Sequence, residues 1–153
     1  MNQRFSHSVT TMLPRDRVWE LLTEIENWPK FSEVYTDVKW SGLPWVPGSC
    51  VVGHIQYPVR LPFRYVLEKC ERPATISYLA HSSESGFATH RTIHLEANPG
   101  HTVIRIIAYA VGKPSFAIEG GPLGFLKTLS ERWFQDFASF CDDHVLAVDR
   151  QAI

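Results

Sequence analysis

Three arginines lie inside runs of apolar and β-branched residues and are the first candidates for chemistry in this chain: Arg64, Arg91 and Arg105. On a sheet with one wet face, such side chains ordinarily point to solvent. The alternative is that one guanidinium faces the interior and binds a ligand carboxylate or phosphate through its planar fork.

Alternation along the strands favours Arg91 as the inward arginine. In the run 102–112 the cleaner apolar face leaves Arg105 outside, because successive strand residues point to opposite faces. In the run 86–97 the face with Ile93 is more apolar than the face with His90, and it includes Arg91. We therefore predict that Arg91 anchors the polar group of a ligand.

The seven histidines raise the question of a metal site. His90 and His94 share a strand face, but at a rise of about 3.3 Å per residue they stand about 13 Å apart. One zinc ion cannot bridge them, because Zn–N bonds are only about 2.0–2.1 Å long. Cys50, Cys70 and Cys141 match neither a metal-binding nor a disulfide spacing. The sequence predicts no metal and reduced thiols.

No sequence pattern assigns a catalytic residue. The chain lacks the Gly-x-Ser-x-Gly and Cys/His signatures of nucleophilic enzymes, and its glycines do not match a phosphate-binding loop. We therefore predict no cofactor. If the interior does chemistry, its acid–base candidates are Arg91, His90, His54 and Tyr65.

Aromatic residues are numerous, at 12% of the chain. They either fill a core by ordinary packing or line a ligand cavity. Together with Arg91, the residues that we predict to contact a ligand are Phe63, Tyr65, Tyr78, Phe87, Ile93, Trp133 and Phe137.

A long helix is predicted from Pro122 to Val148. Leu126, Leu129 and Trp133 recur at intervals of three and four residues, the period of one helix face. A helix with so many aromatic residues needs a large apolar surface to lie on, and the β-rich region 34–112 is the candidate. Such an arrangement often encloses a cavity.

The remaining elements follow from periodicity and turn residues. A first strand is predicted at 3–12, a helix begins at Pro14, and Asn27 can cap a second, short helix. Short connections between strands predict an antiparallel meander in an α+β architecture. Six further strands are predicted, at 34–42, 49–57, 61–71, 75–83, 86–97 and 102–112.

The loop 111–121 between the last strand and the long helix is rich in glycine and proline. Such a loop is either an inert connection or a mobile gate to the pocket.

Four segments resemble the START-like superfamily, whose members have the helix-grip fold and include the polyketide cyclase/dehydrase and lipid-transport group. They are PRDRVWELL at 14–22, IENWPKF at 25–31, PGS at 47–49 and ERPATI at 71–76. The resemblance covers nearly the whole chain and implies a seven-stranded antiparallel sheet wrapped on the C-terminal helix, with two short helices after the first strand. The superfamily has no shared catalytic residue to carry over.

Length and charge limit the partners. A chain of 153 residues predicts one domain, 1–153. A net charge of −1 argues against nucleic acid as a partner. No apolar run reaches the roughly 20 residues of a membrane span, and the N-terminus lacks a signal-peptide pattern, so we expect a cytoplasmic protein. The composition is also compatible with a homodimer.

These observations lead to one main hypothesis and two alternatives. The main one is a carrier or sensor that binds a small hydrophobic or amphipathic molecule, such as a lipid, an isoprenoid or a polyketide-like aromatic, between the sheet and the last helix. The first alternative is a cyclase or dehydratase that acts in the same cavity. The second is a surface interaction module with a filled core, which predicts no cavity larger than a few waters.

Overall fold

A computed structural model describes residues 4–82, 87–111 and 122–151. Seven antiparallel strands form one sheet in the order β1-β7-β6-β5-β4-β3-β2, which confirms the predicted helix-grip architecture. Each predicted strand is confirmed to within two residues at either end. The strands are β1 (Arg4–Thr11), β2 (Tyr35–Ser41), β3 (Cys50–Ile55), β4 (Leu61–Glu71), β5 (Thr75–Ser82), β6 (Phe87–Asn98) and β7 (His101–Val111).

Three α-helices accompany the sheet: α1 (Arg15–Thr23), α2 (Trp28–Phe31) and α3 (Pro122–Gln151). Pro14 immediately precedes α1, and Asp16 lies in the first turn, where a negative charge stabilises the positive end of the helix dipole. A single 3₁₀ turn, Ile25–Asn27, joins α1 to α2.

The C-terminal end of α1 is held by side chains. Its last carbonyl oxygens have no partner within the helix, and each of three accepts a side-chain hydrogen bond. They are Leu21 from Asn27 (3.4 Å), Leu22 from Trp28 (3.0 Å) and Thr23 from Trp45 (2.9 Å). Asn27 occupies the N-cap position of α2 as predicted, but its side chain makes no capping hydrogen bond there, because its amide donates backwards to α1.

Helix α3 packs its aromatic face onto the concave side of the sheet. Trp133, Phe134 and Phe137 are buried among the sheet residues and α2. Asp142 accepts hydrogen bonds from the Thr11 hydroxyl (2.6 Å) and the Met12 amide (3.0 Å), which fixes α3 to the end of β1.

A β-bulge in β2 decides which of its side chains face the interior. The register shifts between Thr36 and Lys39. Tyr35 and Trp40, five residues apart, would face opposite sides of a regular strand, but the bulge places both on the inner side. Gly53 on β3 permits the bulge, because a Cβ there would lie 2.8 Å from the Thr36 carbonyl oxygen.

Two predictions fall outside the described residues. The candidate gate lies there from 112 to 121, and so does the side chain of Phe87. Within the described ranges, no helix combines the length and the hydropathy that a bilayer crossing requires.

Candidate functional site

A small cavity lies between the sheet, the two N-terminal helices and α3. Its volume is about 20 Å³, enough for about one water molecule. The predicted cavity is therefore in the expected place, and its volume is within the few waters that the filled-core alternative allows. Its wall is almost entirely apolar, and the lining residues are Leu22, Trp28, Tyr35, Trp40, Trp45, Val51, Tyr65, Leu67, Ile76, Tyr78, Ile93 and Trp133.

Aromatic rings account for the small volume. The ring centroids of Trp28, Tyr35 and Trp133 lie 5.3–5.6 Å from one another, which is the ordinary spacing of packed aromatic pairs. On the other side of Trp133, Phe31 and Phe137 continue the cluster at 5.6 and 5.9 Å. Helix α3 thus fills most of the space beneath the sheet.

The predicted ligand-binding residues separate into two groups. Tyr65, Tyr78, Ile93 and Trp133 line the cavity. Phe63, Phe137 and Arg91 are buried but form no part of its wall. Phe63 packs against Tyr65 at a centroid distance of 4.5 Å, and Arg91 lies behind the tyrosines.

Arg91 is the main electrostatic feature of the interior. It is only 5% exposed, on the face that alternation predicted. Its Nη1 donates to Tyr65 Oη at 3.0 Å, and its guanidinium carbon lies 4.7 Å from the Tyr65 ring centroid and 5.5 Å from that of Tyr78. Among the described residues no carboxylate pairs with Arg91, and its Nε has no hydrogen-bond partner.

The charge of Arg91 reaches the cavity through two tyrosine hydroxyls. A guanidinium can only donate, so Tyr65 Oη accepts from Arg91 and directs its own proton away from the cation. Tyr35 Oη lies 2.8 Å from Tyr65 Oη and is in position to accept that proton. Either hydroxyl of this pair could be the donor; with Tyr65 as the donor, the hydroxyl proton of Tyr35 is free for a third group, and a chain of this kind polarises its terminal donor.

The pKa values of Arg91, Tyr35 and Tyr78 indicate that these side chains act as hydrogen-bond donors. Burial raises the pKa of Tyr35 well above its ordinary value. Burial also raises the pKa of Tyr78 to about 12, although Arg91 opposes the shift. Burial lowers the pKa of Arg91, but the surrounding tyrosine oxygens raise it more, so its pKa lies above the ordinary value. At neutral pH the Arg91 guanidinium is therefore charged, and the phenols of Tyr35 and Tyr78 are neutral.

Two of the acid–base candidates lie on the other face of the sheet. His90 Nε2 is 2.9 Å from the exposed Glu68 carboxylate, and His54 Nδ1 is 3.3 Å from Asp37. Neither lines the cavity, so they are wrong as candidates for chemistry there. Within the described ranges no group of three or more His, Cys, Asp or Glu side chains could hold a metal ion.

Tyr35 and Trp28 are site residues that the sequence analysis missed. In strand 34–42, simple alternation groups Tyr35 with Asp37 and Lys39 on a polar face. The bulge overturns that grouping. Asp37 lies in the bulge and has a positive φ of 55°, a conformation that Asp adopts more readily than most residues do. An Asp inside a run of strand residues was therefore the sequence signal that could have indicated the bulge.

Trp40 and Trp45 form the half-exposed part of the wall. Their centroids lie 4.8 Å apart in an edge-to-face arrangement. Trp45 belongs to the connection 42–49 between β2 and β3, where Leu43 is 69% exposed and Val46 45% exposed. Trp45 adopts φ 60°, which is strained for a bulky side chain. The Trp45 indole is held inward by a hydrogen bond from Nε1 to the Thr23 carbonyl oxygen at 2.9 Å.

Comparison with known proteins agrees with this geometry. The model of the family described as polyketide cyclase/dehydrase and lipid transport matches residues 2–140. A search of curated proteins finds no significant match.

Solved structures show the same fold at low sequence identity. Ara h 8.0201 is 13% identical, with a TM-score of 0.77 over 92% of this chain and 98% of its own. An aromatase/cyclase from a Streptomyces species is 14% identical, with a TM-score of 0.75 over 95% and 96%. Norcoclaurine synthase from Thalictrum is 12% identical, with a TM-score of 0.70 over 94% and 96%.

Identities this low show the fold alone, but the family match covers most of the chain. With its helix-grip fold and its aromatic interior, this protein belongs to the polyketide cyclase/dehydrase and lipid transport family, which supports a ligand-binding or cyclase role.

Proposed function

We propose that this protein binds a small hydrophobic or amphipathic molecule, such as a lipid, an isoprenoid or a polyketide-like aromatic, between the sheet and α3. The observation that carries the proposal is the buried cation of Arg91, which has no carboxylate partner among the described residues. A buried charge is costly to desolvate, and even buried ion pairs can often be replaced by apolar side chains of similar volume without loss of stability. The Arg91 cation would have a function if it stabilised an anionic or strongly hydrogen-bond-accepting oxygen of a bound ligand.

Binding requires the cavity to widen, because about 20 Å³ accepts only a water molecule. The Trp40–Trp45 pair is the part of the wall that can move outward. Both side chains are partly exposed, and Trp45 holds its inward position through one hydrogen bond, to the Thr23 carbonyl oxygen. We therefore place the entrance for the ligand at this pair.

A matched pair of fluorescent probes tests the proposal. Anilinonaphthalene sulfonate (ANS) carries an anionic group, and N-phenylnaphthylamine has the same ring system without it. We expect both to bind, and we expect Arg91→Met to weaken ANS about tenfold or more while the neutral probe changes little. Arg105→Met is the control, because Arg105 is exposed and pairs with Glu96 at 3.6 Å.

Two results count against this proposal. If neither probe binds and native mass spectrometry finds no co-purified molecule, the cavity does not take ligands. If both probes bind but Arg91→Met leaves their affinity ratio unchanged, the cation is not part of the site.

The second candidate is a cyclase or dehydratase, favoured by the chain of donors from Arg91 through Tyr65 to Tyr35. Such a chain can polarise a substrate carbonyl and stabilise the developing enolate. The raised pKa of Tyr35 suits a donor and not a base. The test is incubation with a linear poly-β-ketone thioester, with mass spectrometry for a cyclised product that has lost water. Wild-type turnover that disappears in Tyr65→Phe would support an enzyme.

The third candidate, an interaction module with a filled core, is favoured by the small volume of the cavity. Binding of either probe with one-to-one stoichiometry, together with its loss in a variant of the cavity wall, would exclude it.

A further inference from the structure

Trp133 carries a buried indole N–H that has no acceptor among the described residues. Its side chain is 3% exposed and lines the cavity. Two other indoles in the same wall do have acceptors: Trp28 bonds to Leu22 O and Trp45 to Thr23 O. Buried donors are almost always hydrogen-bonded in native proteins, so an exception requires an explanation.

Tyr35 places a second polar group, its hydroxyl, on a ring that lines the same cavity. Its ring lies edge-on to Trp133 at a centroid distance of 5.6 Å. Arg91 donates to Tyr65 Oη at 3.0 Å, and Tyr65 Oη lies 2.8 Å from Tyr35 Oη, where either hydroxyl could be the donor. With Tyr65 as the donor to Tyr35, the Tyr35 proton is available to a ligand. The rings of Tyr35 and Trp133 both line the cavity, which has room for about one water molecule, so one ligand atom is the most that it can hold without widening.

We infer that Tyr35 and Trp133 together bind one oxygen atom of the ligand, a carbonyl or carboxylate oxygen. The inference rests on the proposed binding function and narrows its ligand class. The described wall holds no carboxylate, amide or imidazole group, so it offers an ammonium group no strong acceptor. The positive charge of Arg91 behind the tyrosines favours an anionic or electron-rich oxygen for the same reason.

The test compares two uncharged probes of nearly the same shape. Acetylnaphthalene has a carbonyl oxygen where isopropenylnaphthalene has a methylene group. We expect the ratio of their affinities, ketone over alkene, to fall about tenfold from wild type to the double variant Tyr35→Phe/Trp133→Phe, and about threefold in each single variant. Comparing ratios between variants cancels the difference in hydrophobicity between the two probes.

Tyr109→Phe is the matched control for the tyrosine. Tyr109 stacks on His90 at 4.8 Å, away from the cavity lining, so the ratio should keep its wild-type value. Trp19→Phe is the matched control for the tryptophan, since Trp19 is buried on α1 and also lies outside the lining.

A spectroscopic measurement on the wild-type protein covers the case in which a variant fails to fold. With ¹⁵N-labelled tryptophan, the indole proton of Trp133 should move downfield on addition of the ketone and not on addition of the alkene. The indole protons of Trp28 and Trp45 should not show this difference, because their acceptors are backbone carbonyls.

The outcomes separate the two proposals. Binding of both probes, with a ratio that no variant changes, overturns the inference and leaves the binding function intact. An upfield shift of the Trp133 proton with the ketone would place that N–H over an aromatic ring and also overturns the inference. Binding of neither probe overturns the binding function itself.

Discussion

Arg91 should be almost dispensable for stability although it is one of the most buried charged residues of the chain. The change to test is Arg91→Met, which keeps a long, flexible side chain and removes the guanidinium. We expect the free energy of unfolding to change by no more than about 1.5 kcal/mol in either direction. Over the same change, the affinity for ANS should fall.

The magnitude follows from the contacts of the guanidinium. The substitution removes a charged hydrogen bond to Tyr65, which contributes about 1.5–3 kcal/mol. It also removes cation–π contacts with Tyr65 and Tyr78, together about 2 kcal/mol when desolvated. Against these losses stand the desolvation of the cation, several kcal/mol, and the unpartnered Nε, about 1–3 kcal/mol. The opposing contributions nearly cancel.

Urea unfolding followed by tryptophan fluorescence measures the change, with Arg105→Met as the exposed control, which should stay within about 0.5 kcal/mol of wild type. For a chain of this size the expected window corresponds to a shift in Tm of at most about 6 °C. A loss above about 3 kcal/mol, typical of breaking a buried ion pair, would contradict the argument. Such a loss would mean that Arg91 contributes to stability and not mainly to ligand binding.

Three further predictions concern the cavity wall and its support. Trp45→Ala should cost about 2 kcal/mol of stability, because the side chain is half-buried, and should accelerate binding of N-phenylnaphthylamine in stopped-flow fluorescence; an unchanged rate would place the entrance elsewhere. Stability should decline as the pH rises from about 10 to 12, because burial raises the pKa of Tyr78 to about 12 and the unfolded state releases that proton first; urea titrations should show a shallower decline in Tyr78→Phe. Gly53→Ala should cost about 1–3 kcal/mol, because its Cβ would lie 2.8 Å from the Thr36 carbonyl oxygen. Gly124→Ala on α3, where a Cβ meets nothing within 4 Å, should instead be neutral or stabilising by up to about 1 kcal/mol, and equal effects on thermal unfolding would refute the steric argument.

The strands were predictable because their ends carry local signals. Pro44, Pro47 and Gly48 interrupt the chain between β2 and β3, and Asn98 to His101 mark the tight turn between β6 and β7. These residues act through their own backbone preferences, so the turns can be predicted without knowledge of the tertiary structure. The inward orientation of Arg91 was predictable for a similar reason, because β6 runs through its whole length in regular alternation.

The site itself was only partly predictable. The bulge that turns Tyr35 inward depends on the pairing of β2 with β3 and on the space left by Gly53, and neither is a property of β2 alone. The size of the cavity could not be predicted, because the sequence indicates that Trp133 lies on the inner face of α3 but not how closely its ring meets Trp28 and Tyr35. Trp45 enters the wall from a loop, where no periodicity applies.

The three side-chain bonds at the end of α1 differ in how readily water can replace them. Asn27 and Trp28 are 9% and 7% exposed, so the carbonyls of Leu21 and Leu22 would be left dehydrated if those donors moved. The oxygen of Thr23, in a half-buried residue, can be hydrated as soon as the Trp45 indole departs, and the exchange then costs little. Water can therefore replace the hydrogen bond of Trp45 but not that of Trp28. For the proposed binding function, this means that the wall should open at Trp45 and stay closed at Trp28.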